Sequence, residues 1–206
     1  MLKRWFGRAQ KPATAAIPTA SAAVAWGPPQ TPYRDYFNVH LYAVAIGDLE
    51  PALRRTYLAG AVPATPALVL VSGDAWTSAY VEPGLARRVG FNRLASELAH
   101  ALDTWVIAYR IYAEEGMDVH YFQGAAHLDR LALSGDTLLD EPLTPELFAP
   151  LADVTACLPR PQGQHPLDCH FRLLAALGIV DAALTWAEAL ARHQAGAWAG
   201  SRLLSG

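Results

Sequence analysis

The amino terminus places the firmest limit on how this chain can fold. Residues 1–34 carry five basic side chains and no acidic one, and five prolines lie between residues 11 and 32 among Ala, Thr and Ser. This composition cannot bury an apolar core and is typical of a semi-extended tether. The sequence therefore predicts a disordered basic arm and tether over residues 1–32, followed by one domain over residues 33–206.

The rest of the chain is acidic. The whole chain has 16 basic and 19 acidic residues, and five of the basic ones lie in the first 34 positions. That leaves 11 arginines against 19 carboxylates over residues 35–206, a formal charge of −8. Asymmetry of this kind is typical of a tail that binds a partner or directs targeting. An acidic body without a basic, aromatic groove argues against nucleic acid as the partner.

The first eight residues, MLKRWFGR, combine aromatic and cationic side chains. Trp5 and Phe6 lie among Lys3, Arg4 and Arg8. An aromatic pair beside cations suits an interface, where both its apolar and its electrostatic interactions are satisfied. We therefore predict a short docking peptide in which these five residues bind a protein partner. The alternatives are a terminus without a role, an organelle targeting segment, and weak attraction to anionic lipid.

Cysteine content and hydropathy bear on the compartment. Cys157 and Cys169 are the two cysteines of the chain, too few for a disulfide framework. A reducing, cytoplasmic compartment is the simplest interpretation, and a bridge between the two cysteines and organelle targeting are the alternatives. No apolar run approaches the ~18 residues that a spanning helix needs. We therefore expect no transmembrane span, with peripheral membrane contact left open.

Apolar periodicity predicts a mainly helical (α+β) fold, a compact helical domain with a small β-hairpin. The strongest signal is a helix over residues 92–113, whose apolar side chains recur every three or four positions. These side chains include Leu94, Leu98, Leu102, Trp105 and Tyr109. Further helices are predicted over residues 48–59, 144–158 and 167–190, the last with a bend or break at Gly178.

Little β structure is expected. Residues 67–81 predict a hairpin with its turn at Gly73, and residues 119–123 predict a brief strand. Residues 33–47 fit either a strand or a helix, because the run is too short for its periodicity to decide. The last dozen residues are expected to be frayed.

Two short motifs suggest a metal site. Asp118-x-His120 precedes His127-x-Asp129 by a few residues, and positions i and i+2 of a strand face the same side. Two imidazoles and one carboxylate form a known open metal triad. The sequence therefore predicts His120, His127 and Asp129 as metal ligands. The alternative is that both histidines form hydrogen bonds with neighbouring carboxylates.

A second cluster contains His165, Asp168, Cys169 and His170. A zinc site here would need Cys157 as a further ligand, so caps and buried side chains are the simpler interpretation. The sequence contains no nucleophile elbow and no glycine-rich phosphate loop. It therefore identifies no catalytic residue and no cofactor.

These observations favour a non-catalytic interaction or accessory protein that docks on a larger complex through its basic, aromatic arm. Two alternatives belong to other classes. One is a metal-dependent enzyme that uses the histidine and aspartate cluster. The other is a small-ligand-binding helical module, with an aromatic pocket between the 92–113 helix and the C-terminal helices.

Overall fold

The computed structural model describes residues 36–58, 66–112, 116–134, 137–138, 145–154, 166–179 and 181–205. The arm with its five predicted contact residues lies outside these ranges, as does Cys157. The described residues form one eight-stranded antiparallel sheet with helices on both faces.

The strands pair mostly with sequence neighbours. They are β1 (Tyr36–Tyr42), β2 (Pro66–Ser72), β3 (Trp76–Val81), β4 (Trp105–Tyr112), β5 (Gly116–Gln123), β6 (Ala126–Ser134), β7 (Thr137–Leu138) and β8 (Arg202–Ser205). Their order across the sheet is β7-β6-β5-β4-β1-β3-β2-β8. β1 therefore lies inside the sheet, between β3 and β4, and pairs with both along its length.

Helices cover each face of this sheet. They are α1 (Ile46–Leu53), α2 (Pro83–Val89), α3 (Phe91–Leu102), α4 (Pro166–Ala176) and α5 (Trp186–Gln194). α1, α2 and α3 pack on one side, here called the α3 face, where Val39 and Ala108 are fully buried. α4 and α5 pack on the other side, the α4 face, where Leu173 and Leu174 are fully buried. The result is a three-layer arrangement with two apolar interfaces.

The prediction of a mainly helical domain is wrong. The predicted helix over residues 92–113 is α3 followed by strand β4, with Asp103 between them in left-handed backbone (φ 46°). Side chains four residues apart also share a face of a strand, so Trp105 and Tyr109 fit both patterns. Because helices cover both faces, Val106 and Ile107 are both buried although they point to opposite sides.

Several local predictions agree with the structure. The predicted hairpin is β2 and β3, with Ser72 paired to Thr77. The brief strand is part of β5, and the ambiguous segment at residues 33–47 contains β1. The predicted helix over residues 48–59 is α1, continued by a wider turn over Arg54–Leu58.

The C-terminal predictions were less accurate. The expected break at Gly178 is present, since this residue has φ 77° and separates α4 from α5. The frayed ending is wrong, because β8 pairs with β2 and buries Leu204. In the predicted 144–158 helix, the structure describes only a 3-10 turn, Pro145–Phe148, and a following turn. Among the described residues, no helix is both long and apolar enough to cross a bilayer.

Candidate functional site

A polar cluster lies on the α3 face, on strands β5 and β6. The strand register pairs His120 with Arg130, and Asp118 is two residues away on the same side of β5. Oδ1 of Asp118 accepts a hydrogen bond from Nε of Arg130 at 2.9 Å, and Nε2 of His120 lies 3.0 Å from the same oxygen. The Asp118 carboxylate therefore links the histidine to the arginine.

An irregularity in the strand pairing brings a second histidine to this cluster. The register shifts between Tyr121 and Phe122, so that Phe122 faces His127 across the β5–β6 hairpin. Nδ1 of His120 and Nε2 of His127 are then 3.2 Å apart. The His120 side chain is buried, whereas His127 is exposed. The pair is therefore open to solvent on the His127 side.

The third predicted ligand does not join this pair. Asp129 pairs with Tyr121 in the register and so points to the α4 face, opposite to His120. Its Oδ1 accepts a hydrogen bond from the main-chain N–H of Arg130 at 2.8 Å. Among the described residues, no group of three or more His, Cys, Asp or Glu side chains is placed to hold a metal ion. The structure brings His120 and His127 together, with Asp118 rather than Asp129 beside them.

The electrostatics of the cluster favour an ionised Asp118 carboxylate and a neutral His127 imidazole. Burial alone would raise the pKa of Asp118, but hydrogen bonds from His120 and Arg130 outweigh it and hold this pKa below its ordinary value. Burial, followed by repulsion from His120, lowers the pKa of His127. The lowered pKa of His127 leaves a lone pair available on a ring nitrogen of this residue near neutral pH.

A second polar network is enclosed on the α4 face around β1. Nδ1 of His40 is 2.8 Å from the Ser78 hydroxyl, and its Nε2 is 3.3 Å from the Tyr109 hydroxyl. The Asn38 amide donates to the Tyr109 hydroxyl (3.1 Å) and to the main-chain carbonyl of Ala182 (3.0 Å). The Tyr109 hydroxyl in turn donates to that carbonyl. These bonds connect the centre of the sheet to the loop before α5.

His170 of α4 extends the same network. Its Nδ1 lies 2.9 Å from the hydroxyl of Tyr121, and its ring stands edge-on to Tyr109 with 5.0 Å between the ring centres. Burial lowers the pKa of His40 to about 3, and burial together with repulsion from His40 lowers the pKa of His170 to about 3. Both rings are therefore neutral at pH 7 and serve as hydrogen-bonding groups within the core.

Most of this network could not be recognised in the sequence. His170 belonged to the second predicted cluster, but His165 lies outside the described residues and the structure describes no side chain for Cys169. Asn38 and His40 alternate with apolar residues in β1, a pattern that normally indicates a solvent-exposed face. The signal that could have identified the network is the pair of polar residues, Asn38 and His40, within an otherwise apolar segment.

An open cleft of about 340 Å³ lies at the end of the sheet where β1 ends and β4 begins. Its lining includes Ala43, Asp103, Trp105 and Gln123. Ala43 (φ 53°) and Asp103 (φ 46°) both hold left-handed backbone, which is unfavourable for residues other than glycine. Such strain is concentrated at ligand sites and tight turns.

Comparison with protein-family models, curated proteins and solved structures found no match to this chain. The described residues offer three candidate places for binding or chemistry: the exposed histidine pair, the enclosed polar network and the open cleft.

Proposed function

We propose that this chain is a non-catalytic interaction protein that docks on a larger complex through its N-terminal arm. The contact residues are Lys3, Arg4, Trp5, Phe6 and Arg8. The observation that carries the proposal is the connection of the arm to β1, which begins at Tyr36 and is hydrogen-bonded to a strand on each side. A docking peptide joined to an interior strand is held firmly to the folded part of its own chain.

The packing of the body supports the same function. In the described residues, helices cover both sheet faces, and the large apolar side chains are used in the three internal clusters. Recognition through a sheet face would require these layers to separate. An appended segment with its own aromatic and basic residues avoids that cost.

Substitutions in the full-length chain test this proposal. The double variant Trp5→Ala/Phe6→Ala removes the aromatic pair, and Trp26→Ala is the matched control because it removes an aromatic residue elsewhere in the same arm. We expect a partner recovered from native lysate by wild type and by Trp26→Ala to be lost with the double variant. Equal recovery by all three proteins would contradict docking through the first six residues.

The open cleft favours a second candidate function, the binding of a small polar ligand. Asp103 and Gln123 supply a carboxylate and an amide, and the half-buried Trp105 supplies an aromatic surface. Thermal unfolding with a metabolite panel tests this candidate. A ligand of this site should raise Tm of wild type but not of Asp103→Asn, a change that keeps a side chain tolerated in left-handed backbone. Asp74→Asn, in the exposed hairpin turn, is the control, and a panel that leaves Tm unchanged counts against the candidate.

A further inference from the structure

His120 and His127 approach each other through the nitrogens that face inward. Nδ1 of His120 and Nε2 of His127 are 3.2 Å apart. Phe122 lies beside both rings, with its ring centre 6.0 Å from that of His120 and 4.9 Å from that of His127. The two imidazoles are therefore held at a fixed separation by the strands and by a common aromatic neighbour.

The outward-facing nitrogens have partners that accept protons. The Asp118 carboxylate is 3.0 Å from Nε2 of His120, a close contact that favours a proton there although its alignment is poor for a hydrogen bond. His127 forms a hydrogen bond with the main chain of Asp129 that favours a protonated ring nitrogen. Because Nε2 of His127 faces His120, the nitrogen that remains for this bond is Nδ1.

This assignment leaves two lone pairs facing each other. With protons on the outer nitrogens alone, the inner nitrogens both act as acceptors, and two acceptors at 3.2 Å repel unless a cation lies between them. A proton or a metal ion would remove that repulsion. The separation lies within hydrogen-bond range and also suits two bonds to one metal ion, so metal titration decides between them. Two metal–nitrogen bonds of about 2.0 to 2.1 Å that span 3.2 Å enclose an angle of about 100°, close to tetrahedral.

We propose that His120 and His127 form a two-histidine site for a divalent transition-metal ion such as Cu²⁺ or Zn²⁺. Water completes the coordination on the exposed side of His127. Asp118 acts as a positioning residue, because a carboxylate on the far nitrogen of a ligating histidine fixes its tautomer and makes it a better donor. This site differs from the one predicted by the sequence, since Asp129 is not a ligand.

The charges around the site are compatible with a cation. The guanidinium of Arg130 is the nearest positive group among the contacts of this cluster, and it is bonded to the Asp118 carboxylate at 2.9 Å. Arg110 lies 3.9 Å from the same carboxylate. The negative charge of Asp118 is thus shared with both arginines, and imidazole, rather than charge, supplies the affinity. Imidazole ligands favour copper and zinc over calcium and magnesium.

Titration of the full-length protein with CuCl2 and with ZnCl2 tests the proposal, with the stoichiometry and affinity measured by calorimetry. We expect one ion per chain at this site, with Cu²⁺ bound more tightly than Zn²⁺. In His127→Ala this binding should be lost, and in Asp118→Asn it should weaken by about 10- to 100-fold. His100→Ala is the matched control, because His100 is an exposed histidine on α3 outside the pair.

His127 is exposed, so we expect its substitution to leave the fold intact, and the test stays decisive even where His120→Ala fails to fold. The electron paramagnetic resonance spectrum of the Cu²⁺ form should show coupling to two imidazole nitrogens in wild type and not in His127→Ala.

Metal binding that is unchanged in His127→Ala would overturn the proposal. Failure of wild type to bind either ion would overturn it as well and would leave a shared proton between the rings. The arm variants change none of the residues of this site, so the metal titration and the docking test are read independently.

Discussion

Two histidine pairs lie on opposite faces of the same sheet and differ mainly in their access to solvent. His40 and His170 are fully buried on the α4 face, where tyrosine, serine and asparagine side chains surround them. On the α3 face, His120 is buried but His127 is exposed. Histidine is therefore enclosed in the first pair. In the second pair, His127 can exchange a proton or an ion with water.

This difference separates a structural role from a binding role. In the enclosed network, each hydrogen bond connects secondary-structure elements that are far apart in the chain, such as β1 and the loop before α5. Buried polar groups with partners specify one arrangement of the core, and their loss is costly. The exposed pair connects only neighbouring strands, so the fold depends on it less. We expect substitutions and pH to affect stability strongly on the α4 face and weakly at His127.

The largest expected effect is acid destabilisation through the enclosed pair. The pKa of His40 and of His170 is lowered to about 3, so the unfolded chain binds more protons than the folded chain between about pH 6.5 and pH 3. Stability therefore falls as pH falls through this window. Each buried histidine contributes up to about 1.4 kcal/mol per pH unit, hence up to about 5 kcal/mol for both between pH 6.5 and 4.5.

Urea unfolding at several pH values from 7 to 4.5 measures this loss, and the range stays above the lowered pKa of the Asp118 carboxyl group. The variant His40→Asn should reduce the slope of stability against pH, because one of the two groups is removed. A wild-type slope that persists unchanged when both His40 and His170 are replaced would contradict the prediction.

A smaller effect is expected from removing single hydroxyl groups within the same network. The Tyr109 hydroxyl contacts His40, Asn38 and the Ala182 carbonyl, whereas the Tyr121 hydroxyl contacts His170. Removal of a partner from a buried polar group costs about 1 to 3 kcal/mol. We expect Tyr109→Phe to lower the free energy of unfolding by about 2 to 3 kcal/mol and Tyr121→Phe by about 1 kcal/mol.

Denaturant titration of the two variants at pH 7 makes this comparison directly, since both changes remove one oxygen from a fully buried tyrosine. If Tyr121→Phe proves the more damaging of the two, the network is centred on α4 and not on β1.

The errors in the sequence-based fold have a physical cause that β4 illustrates. Local patterns predicted the β2–β3 hairpin because its turn and its strands are neighbours in the chain. In β4, side chains at Trp105 and Tyr109 fit both periods, and burial on both faces hides the alternation that marks a strand. That burial depends on helices contributed by distant parts of the chain, which a local pattern does not contain.

The candidate sites show the same limit. The two motifs contain His120 and His127, whose rings the structure places together, but the register shift at Tyr121 and Phe122 decides which side chains share a face. A slip of one residue moves a side chain to the opposite face, which is why Asp129 was predicted as a ligand and Asp118 was not. The Asn38 and His40 network needed knowledge of α4 and the loop before α5, more than 100 residues later.

The smallest effect is expected at the exposed end of the open pair. His127→Ala removes an exposed side chain, and exposed substitutions usually change the free energy of unfolding by less than about 0.5 kcal/mol. With bound Zn²⁺, however, wild type should gain stability by mass action, and His127→Ala should not. Urea unfolding of both proteins with and without ZnCl2 measures the stability without metal and the stability gained from bound Zn²⁺. Equal stability without metal and unequal stability with it would establish that His127 binds an ion without supporting the fold. A large loss without metal would instead place His127 with His40 and His170 as a structural residue and remove the contrast between the two faces.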